Sequence, residues 1–471
     1  MNDDKSFQPA TTITQAYNAV NPEQSLEPGD PRYVDFAAQR GDEHPVSVIV
    51  KRILRSEANQ PVRHLKQLLA GHRGCGKTTE LLLLKERLEK ENFFVVYFDA
   101  ASEIDMNDVD YSDLLLATMH QLHLQVEQSP LQLFLDIKRL DDIALRLGRV
   151  ILEKEEREDI EATLKTEYRV GAEIPLFVKM MAAFKGFITS GSTQKKHIRV
   201  ELQQRTSLFL QDLNDLIDKL QQQLRDKGKR GLVIIIDSLD RIIPHSLGDE
   251  RKSNSHTALY LDHVEHLKAP RCHLVYTVPI SIFFHENVSK AYPDGPLTIP
   301  MIKTREENGE VCDDGVRVLH EAIASRIDIG KIFVEVRDVE TFCLASGGHL
   351  RDLLRLVRYA CDYSDEQITS DAAARAVRSL VQEYDRLVKD ADLPKLVRVH
   401  REKRLPSDSE FALLPYHLIV LEYQNHERWA DLHPAVQETR KFREAWKNAQ
   451  RQNPQNKTGK KLRQTRRAAK R

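Results

Sequence analysis

The chain is poor in the residues that break or staple structure. Its 471 residues hold 19 glycines and 19 prolines, too few for long flexible linkers and far from a collagen-like composition. Five cysteines, Cys75, Cys272, Cys312, Cys343 and Cys361, form no Cys-x-x-Cys pair and no cluster with histidine. An odd, scattered set excludes a disulfide framework and a structural zinc site, and predicts a reducing compartment. Aromatics are 7% of the chain, which leaves ordinary cores and no aromatic girdle. No apolar run reaches the roughly 18 residues of a membrane span. The nearest, residues 174–188, is interrupted by Lys179 and Lys185. The opening MNDDKSFQPATT is polar and lacks the apolar centre of a secretory signal. These absences predict a soluble, cytoplasmic protein with no membrane partner.

What is present suffices for buried cores. Apolar residues make up 41% and charged residues 30%, which excludes disorder of the whole chain. At about 150 residues per domain, the length predicts two or three domains. The net charge of −1 hides an asymmetry. Residues 440–471 hold 13 Lys and Arg against one acid, Glu444, a charge of +12, so the remainder carries −13. An acidic body with a basic end bears on partners.

Along the chain, residues 1–45 are polar and punctuated by Pro22, Pro28, Pro31 and Pro45, and read as an extended arm. Helical periodicity follows over 46–55. Continuous apolar runs at Leu65–Ala70, Phe93–Phe98, Leu232–Ile236, His273–Val278 and Leu297–Ile302 predict buried strands. Runs without polar alternation suit a parallel sheet covered on both faces. Strands alternating with helices predict a doubly wound α/β core over 46–112 and 227–312. Residues 113–226 read as a helical insertion and 313–392 as a helical lid, with Gly347-Gly348 separating two of its helices. YHLIVLEY, a polar QNHE turn and RWADLHP predict a hairpin after helices, which suits a winged helix at 393–437. Residues 438–471 read as a basic, disordered tail.

Gly71-His72-Arg73-Gly74-Cys75-Gly76-Lys77-Thr78 fits G-x-x-x-x-G-K-[ST] without a mismatch, between a strand and a helix. Glycines let backbone N–H groups converge on phosphate oxygens, and the helix that follows adds its positive dipole end. Lys77 is expected at the β/γ-phosphates and the Thr78 hydroxyl at Mg²⁺. Gly71 through Thr79 form the expected nucleotide-binding set.

LVIIIDSLD, residues 232–240, delivers Asp237 to the C-terminal end of a buried strand, the place of the Mg²⁺ acid in P-loop NTPases. Ser238 stands where a glutamate base usually follows. Asp240 is the nearest acid, and reads equally as a base for water or as a helix cap. Thr277 ends the fourth strand, as a sensor of the γ-phosphate or water or as a turn residue before Pro279. Arg351 stands in the first turn of a helix after Gly347-Gly348, where a cation opposes the helix dipole. It therefore asks for an anion: a nucleotide phosphate, Asp352 or a surface acid. Arg326 suits a helix C-terminus.

Together GHRGCGKTTEL, VIIIDSLDRI, LVYTVP, VLHEAIASRI and ASGGHLRDLLRLVRYA resemble the AAA+/STAND branch of P-loop ATPases. The Asp-x-Leu-Asp-Arg form of the second motif is similar to KAP- and STAND-type NTPases, and Val318–Ala360 resembles the lid of origin-recognition-type initiators. The resemblance covers residues 30–390. It implies that Lys77 and Thr78 serve phosphate and Mg²⁺, that Asp237 is the Mg²⁺ acid, that Thr277 is a sensor and that Arg351 is a lid arginine reporting nucleotide state. Asp237, Asp240, Thr277 and Arg351 are the expected catalytic set, with ATP and Mg²⁺ as cofactors. Ser238 departs from the commoner acidic pair and argues against fast hydrolysis. The expected function is an ATP-hydrolysing conformational switch acting on a protein partner or on copies of itself, with phage defence as one setting. A finger arginine from a neighbour would be Arg241 or Arg305. The alternatives are a DNA-binding initiator or loader, favoured by the winged helix and the basic residues 440–471, and a scaffold that hardly hydrolyses.

Overall fold

Continuous apolar runs become strands in the computed structural model, which describes residues 7–41, 44–58, 62–136, 139–142, 193–245, 254–285 and 288–452. The strands are β1 Lys66–Gly71, β2 Phe94–Asp99, β3 Leu232–Asp237, β4 His273–Thr277 and β5 Leu297–Ile299. They form one sheet in the order β2-β3-β4-β1-β5, and the β2–β3, β3–β4 and β1–β4 pairs are parallel. All six residues of β3 are buried, which explains its lack of alternation. The expected fifth strand ends at Ile299, three residues early.

By contact density the chain divides into two units, Pro45–Ala70 with Glu80–Thr298, and Met1–His44 with Gly71–Thr79 and Ile299–Arg471. In the first, the sheet shares a core with two helices from the expected insertion. Tyr111–Glu127 opens on a capping box in which Asp110 and Asp113 each accept from the other's backbone end. Thr206–Asp226 buries Leu213, Leu216, Ile217, Leu220 and Leu224, an apolar stripe at helical spacing. The insertion's residues 143–192 lie outside the described residues.

The second unit holds the arm, the lid and the C-terminal elements. The arm is not wholly extended: it carries the helix Ile13–Ala19, capped by Thr12. It joins the lid through a parallel bridge, Ala10 to Ile327, and through Arg326 Nη1, which donates to the Arg32 carbonyl at 3.2 Å. The lid helices are Asp313–Ala324, Arg337–Ser346, Leu350–Asp362 and Ser370–Leu387. Gly347 and Gly348 turn the chain between two of them with φ of 59° and 83°. A Cβ on Gly348 would lie 1.7 Å from the Ile302 carbonyl oxygen, so only glycine fits.

At the C-terminus the expected hairpin exists, as β6 Val420–Gln424 paired antiparallel with β7 Arg428–Leu432. It is preceded by the ten-residue helix Leu393–Glu402 and the four-residue Leu413–Tyr416, of which Leu414, Pro415 and Tyr416 are buried. One expectation is corrected. The expected disordered tail at 438–471 begins with a helix, Arg440–Gln452. Phe442 and Trp446, one turn apart, pack on His400 of the helix Leu393–Glu402 at 5.4 and 4.8 Å between ring centres. That stripe lies within the charge run and outweighs it. Residues 453–471 lie outside the described residues. Among the described residues no helix is long and apolar enough to cross a membrane.

Candidate functional site

The expected site residues fall into two sets, one in each unit. The loop set is built first. β1 runs into the glycine-rich turn, and the helix Lys77–Lys90 leaves it. Gly74 and Gly76 take φ of 84° and 97°, left-handed values that side-chain-bearing residues rarely adopt. A Cβ on Gly74 would also lie 2.7 Å from both the Arg351 Cβ and His349 Nε2.

Each carbonyl from Gly71 to Cys75 accepts from a donor in the same unit. Lys77 Nζ donates to the Gly71 and His72 oxygens, both at 2.9 Å. His349 Nε2 donates to the Arg73 oxygen at 2.6 Å, the Arg351 backbone N–H to the Gly74 oxygen at 3.3 Å, and Arg40 Nη2 to the Cys75 oxygen at 2.5 Å. With its carbonyls so engaged, the loop has N–H groups to offer an anion. Leu26 N–H donates to Thr79 Oγ1 at 3.1 Å, so the arm engages the loop at a second point.

His72, expected in the binding set, is fully buried and its ring serves the hairpin. Nδ1 donates to the Pro415 carbonyl at 3.0 Å, and Nε2 accepts from Glu422 N–H at 2.9 Å. Burial holds its pKa down at about 3, so this ring is neutral. Cys75 is buried within the turn.

Arg351 finds the anion its position asks for in a surface acid: Nη2 donates to Glu23 Oε2 at 3.3 Å. Its Nε is buried with no hydrogen-bond partner among the described residues. Asp352 pairs elsewhere. Its Oδ2 lies 3.0 Å from His349 Nδ1 and 3.3 Å from His433 Nε2, and accepts from Tyr384 Oη at 2.7 Å; its Oδ1 accepts from Arg355 at 2.9 Å. Burial alone would raise its pKa, but the two histidines overcome this and hold it well below the usual carboxylate range.

The nitrogens and oxygen of His349, Asp352 and His433 come within 4.8 Å of one another, as metal ligands would. The hydrogen bonds oppose that reading. His433 Nδ1 accepts from Ala435 N–H at 3.1 Å, so its Nε2 carries the proton and has no lone pair for a metal.

The strand-end set is Asp237, Ser238, Asp240 and Thr277. Asp237 ends β3 beside Asp99 of β2 in register. Ser238 takes a left-handed conformation, φ 66° and ψ 5°, at a cost of about 1 kcal/mol. This turn lets Ser238 N–H donate to Asp237 Oδ1 at 2.6 Å, while Tyr97 Oη donates to Oδ2 at 3.0 Å. Thr277 Oγ1 accepts from Leu239 N–H at 3.0 Å, tying the turn to β4. Asp240 is buried in the short helical turn Leu239–Arg241, and Arg241 is exposed. The β4 strand carrying Thr277 therefore lies between the loop strand β1 and the Asp237 strand β3.

Sequence reading missed Arg40, Tyr97, His349 and Asp352 as site residues. His349 and Asp352 flank the arginine it singled out, and both are polar residues in a stretch with a strong apolar stripe, which was the available signal.

The KAP family P-loop domain matches residues 49–247. No curated protein matches the chain. Among solved structures, the ORC2 protein of Aeropyrum pernix in its ADPNP–ADP complexes is 14% identical with a TM-score of 0.39, covering 92% of this chain and 96% of its own. The Walker-type ATPase of Pyrococcus abyssi is 12% identical with a TM-score of 0.38, covering 89% and 98%. ORC of Drosophila bound to DNA is 10% identical with a TM-score of 0.37, covering 94% and 95%. The assignment rests on the loop, the strand order and the family match rather than on these likenesses. The chain carries a P-loop NTPase fold, and over residues 49–247 it is similar to the KAP family P-loop domain.

Proposed function

We propose that the chain binds ATP with Mg²⁺ and hydrolyses it slowly, as a switch whose lid answers to the nucleotide. The observation that carries this reading is the engagement of every loop carbonyl from Gly71 to Cys75, which turns the loop into a preset N–H cradle. Two of those donors, His349 and the Arg351 N–H, belong to the lid, and one, Arg40, to the arm. Lid position and loop shape are thus coupled, as a nucleotide switch requires. The unpartnered Arg351 Nε supports a phosphate contact.

By motif, Thr78 and Asp237 hold Mg²⁺, Lys77 neutralises the β/γ-phosphates and Thr277 senses the reacting end. Bound Mg²⁺ would supply charge neutralisation at the transferring phosphoryl group. Slow turnover is supported by Ser238, which offers no carboxylate and sits in a left-handed turn; Asp240 is the base this reading assigns. Phosphate release with Mg·ATP tests the activity: wild-type turnover that Lys77→Ala abolishes supports it, and equal release from both sinks it. Light scattering with and without ATP tests self-assembly.

A second reading, a nucleic-acid-dependent ATPase, is favoured by the +12 charge of residues 440–471. Each phosphate contacted adds roughly −0.9 to the log–log salt slope on duplex DNA. Deleting residues 457–471, which hold eight Lys and Arg and no acid, should flatten that slope by several units. Unchanged DNA affinity at low salt would remove this reading. For phage defence, the test is plaque formation on cells expressing the wild type or Lys77→Ala.

A further inference from the structure

His349 stands between two acceptors. On one side is the Arg73 carbonyl of the loop, 2.6 Å from Nε2; on the other is the Asp352 carboxylate, 3.0 Å from Nδ1. A carbonyl oxygen only accepts, so Nε2 is the donor to Arg73, while Nδ1 lies beside the carboxylate without an aligned hydrogen bond. His349 and Asp352 are both fully buried, and the carboxylate is fixed from two further elements or turns, by Tyr384 Oη of Ser370–Leu387 and His433 of the hairpin exit, and by Arg355 of its own helix. Tyr384 also stacks on His433 at 4.2 Å between ring centres.

We propose that His349 is a positioning residue of the nucleotide site: buried beside the Asp352 carboxylate, it donates from Nε2 to the Arg73 carbonyl of the P-loop and so holds the loop's N–H groups toward the phosphates. The proposal rests on the ATP-binding reading above. It differs from the role expected of Arg351, because His349 acts through the loop backbone and not on the nucleotide. It also gives the loop a route to the C-terminal elements, through Asp352 to Tyr384 and His433.

The experiment titrates a fluorescent ATP analogue into the full-length wild type, His349→Ala, His349→Gln and Lys77→Ala, with thermal unfolding to check each fold. Loss of a buried bond to the loop predicts binding weakened roughly 5-fold or more in His349→Ala. His349→Gln keeps a donor for the Arg73 carbonyl and should recover part of that affinity. Wild-type affinity in His349→Ala, or a folded His349→Gln that binds no more tightly than His349→Ala, overturns the proposal. If His349→Ala does not fold, His349→Gln decides: binding within about 5-fold of the wild type supports the proposal, and lost binding in the folded variant overturns it. The Lys77→Ala arm separates the two failures. Wild-type binding there removes the nucleotide site itself, whereas lost binding there beside wild-type binding in His349→Ala removes only the strut.

Discussion

The Tyr97 phenol donates to Asp237 Oδ2 at 3.0 Å, from the middle of the neighbouring strand, while Ser238 N–H takes the other carboxylate oxygen at 2.6 Å. The carboxylate is therefore held in one orientation by two donors of its own unit. Tyr97→Phe removes one oxygen from a half-buried site and leaves the ring. A neutral hydrogen bond contributes about 1 kcal/mol, so the half-saturating Mg²⁺ concentration for turnover should rise roughly 5-fold. Nucleotide binding measured in EDTA should not change. An unaltered Mg²⁺ titration would show that the Tyr97 bond does not orient the carboxylate.

Lys77→Ala should abolish tight ATP binding, and Asp237→Ala should lose Mg²⁺-dependent hydrolysis while keeping some binding. Lys77 also satisfies the Gly71 and His72 carbonyls, so its loss should lower the unfolding temperature as well. Calorimetry with and without ATP separates the two effects.

Gly74→Ala meets two obstacles at once, a φ of 84° and a Cβ 2.7 Å from Arg351 Cβ. Relief requires the lid helix to withdraw from the loop. Destabilisation of more than about 1 kcal/mol is expected by denaturant unfolding, together with weaker nucleotide binding. Wild-type binding in this variant would mean that the loop does not need the lid against it.

Two buried histidines, His72 and His256, and the half-buried His64 make the fold acid-labile. Burial lowers His72 to about 3, and His64 and His256 each to about 4, from an unfolded value near 6.5. In that window the unfolded chain binds more protons than the folded one, so stability rises with pH. The contribution is complete above about pH 6.5 and is lost as pH falls toward the folded values, on the order of a few kcal/mol for His72. Urea midpoints measured downward from neutral pH should fall, and His72→Gln should flatten that fall. Parallel curves for wild type and variant would contradict the assignment of His72 as neutral.

Much of the core was legible because its signals are local. The run LVIII needed only its lack of polar alternation, and the loop needed only its glycine spacing between a strand and a helix. The break ahead of the lid helix Leu350–Asp362 was legible because Gly347-Gly348 stands between two apolar stripes. What escaped depends on distance along the chain. His433 reaches Asp352 only after the hairpin returns, and Arg40 reaches the loop across Pro45–Ala70. The C-terminal helix escaped for another reason: a charge count is blind to Phe442 and Trp446 recurring one turn apart. The partner of Arg351 was left open among a nucleotide phosphate, Asp352 and a surface acid, and the folded arm supplies Glu23.

The neutral ring of His72, lodged between the Pro415 carbonyl and Glu422 N–H, makes the hairpin part of the loop's foundations. A fragment excised at residues 49–247, where the family match begins and ends, would keep the glycine-rich sequence and lose its surroundings. Arg40, His349, the Arg351 N–H, Pro415 and Glu422 would all be cut away. The loop would then face water through carbonyls that the whole chain covers, with a buried imidazole laid bare. The segment that defines the family on paper is therefore not the segment that can be purified as a working part, and functional dissection of this protein has to proceed by substitution within the full length.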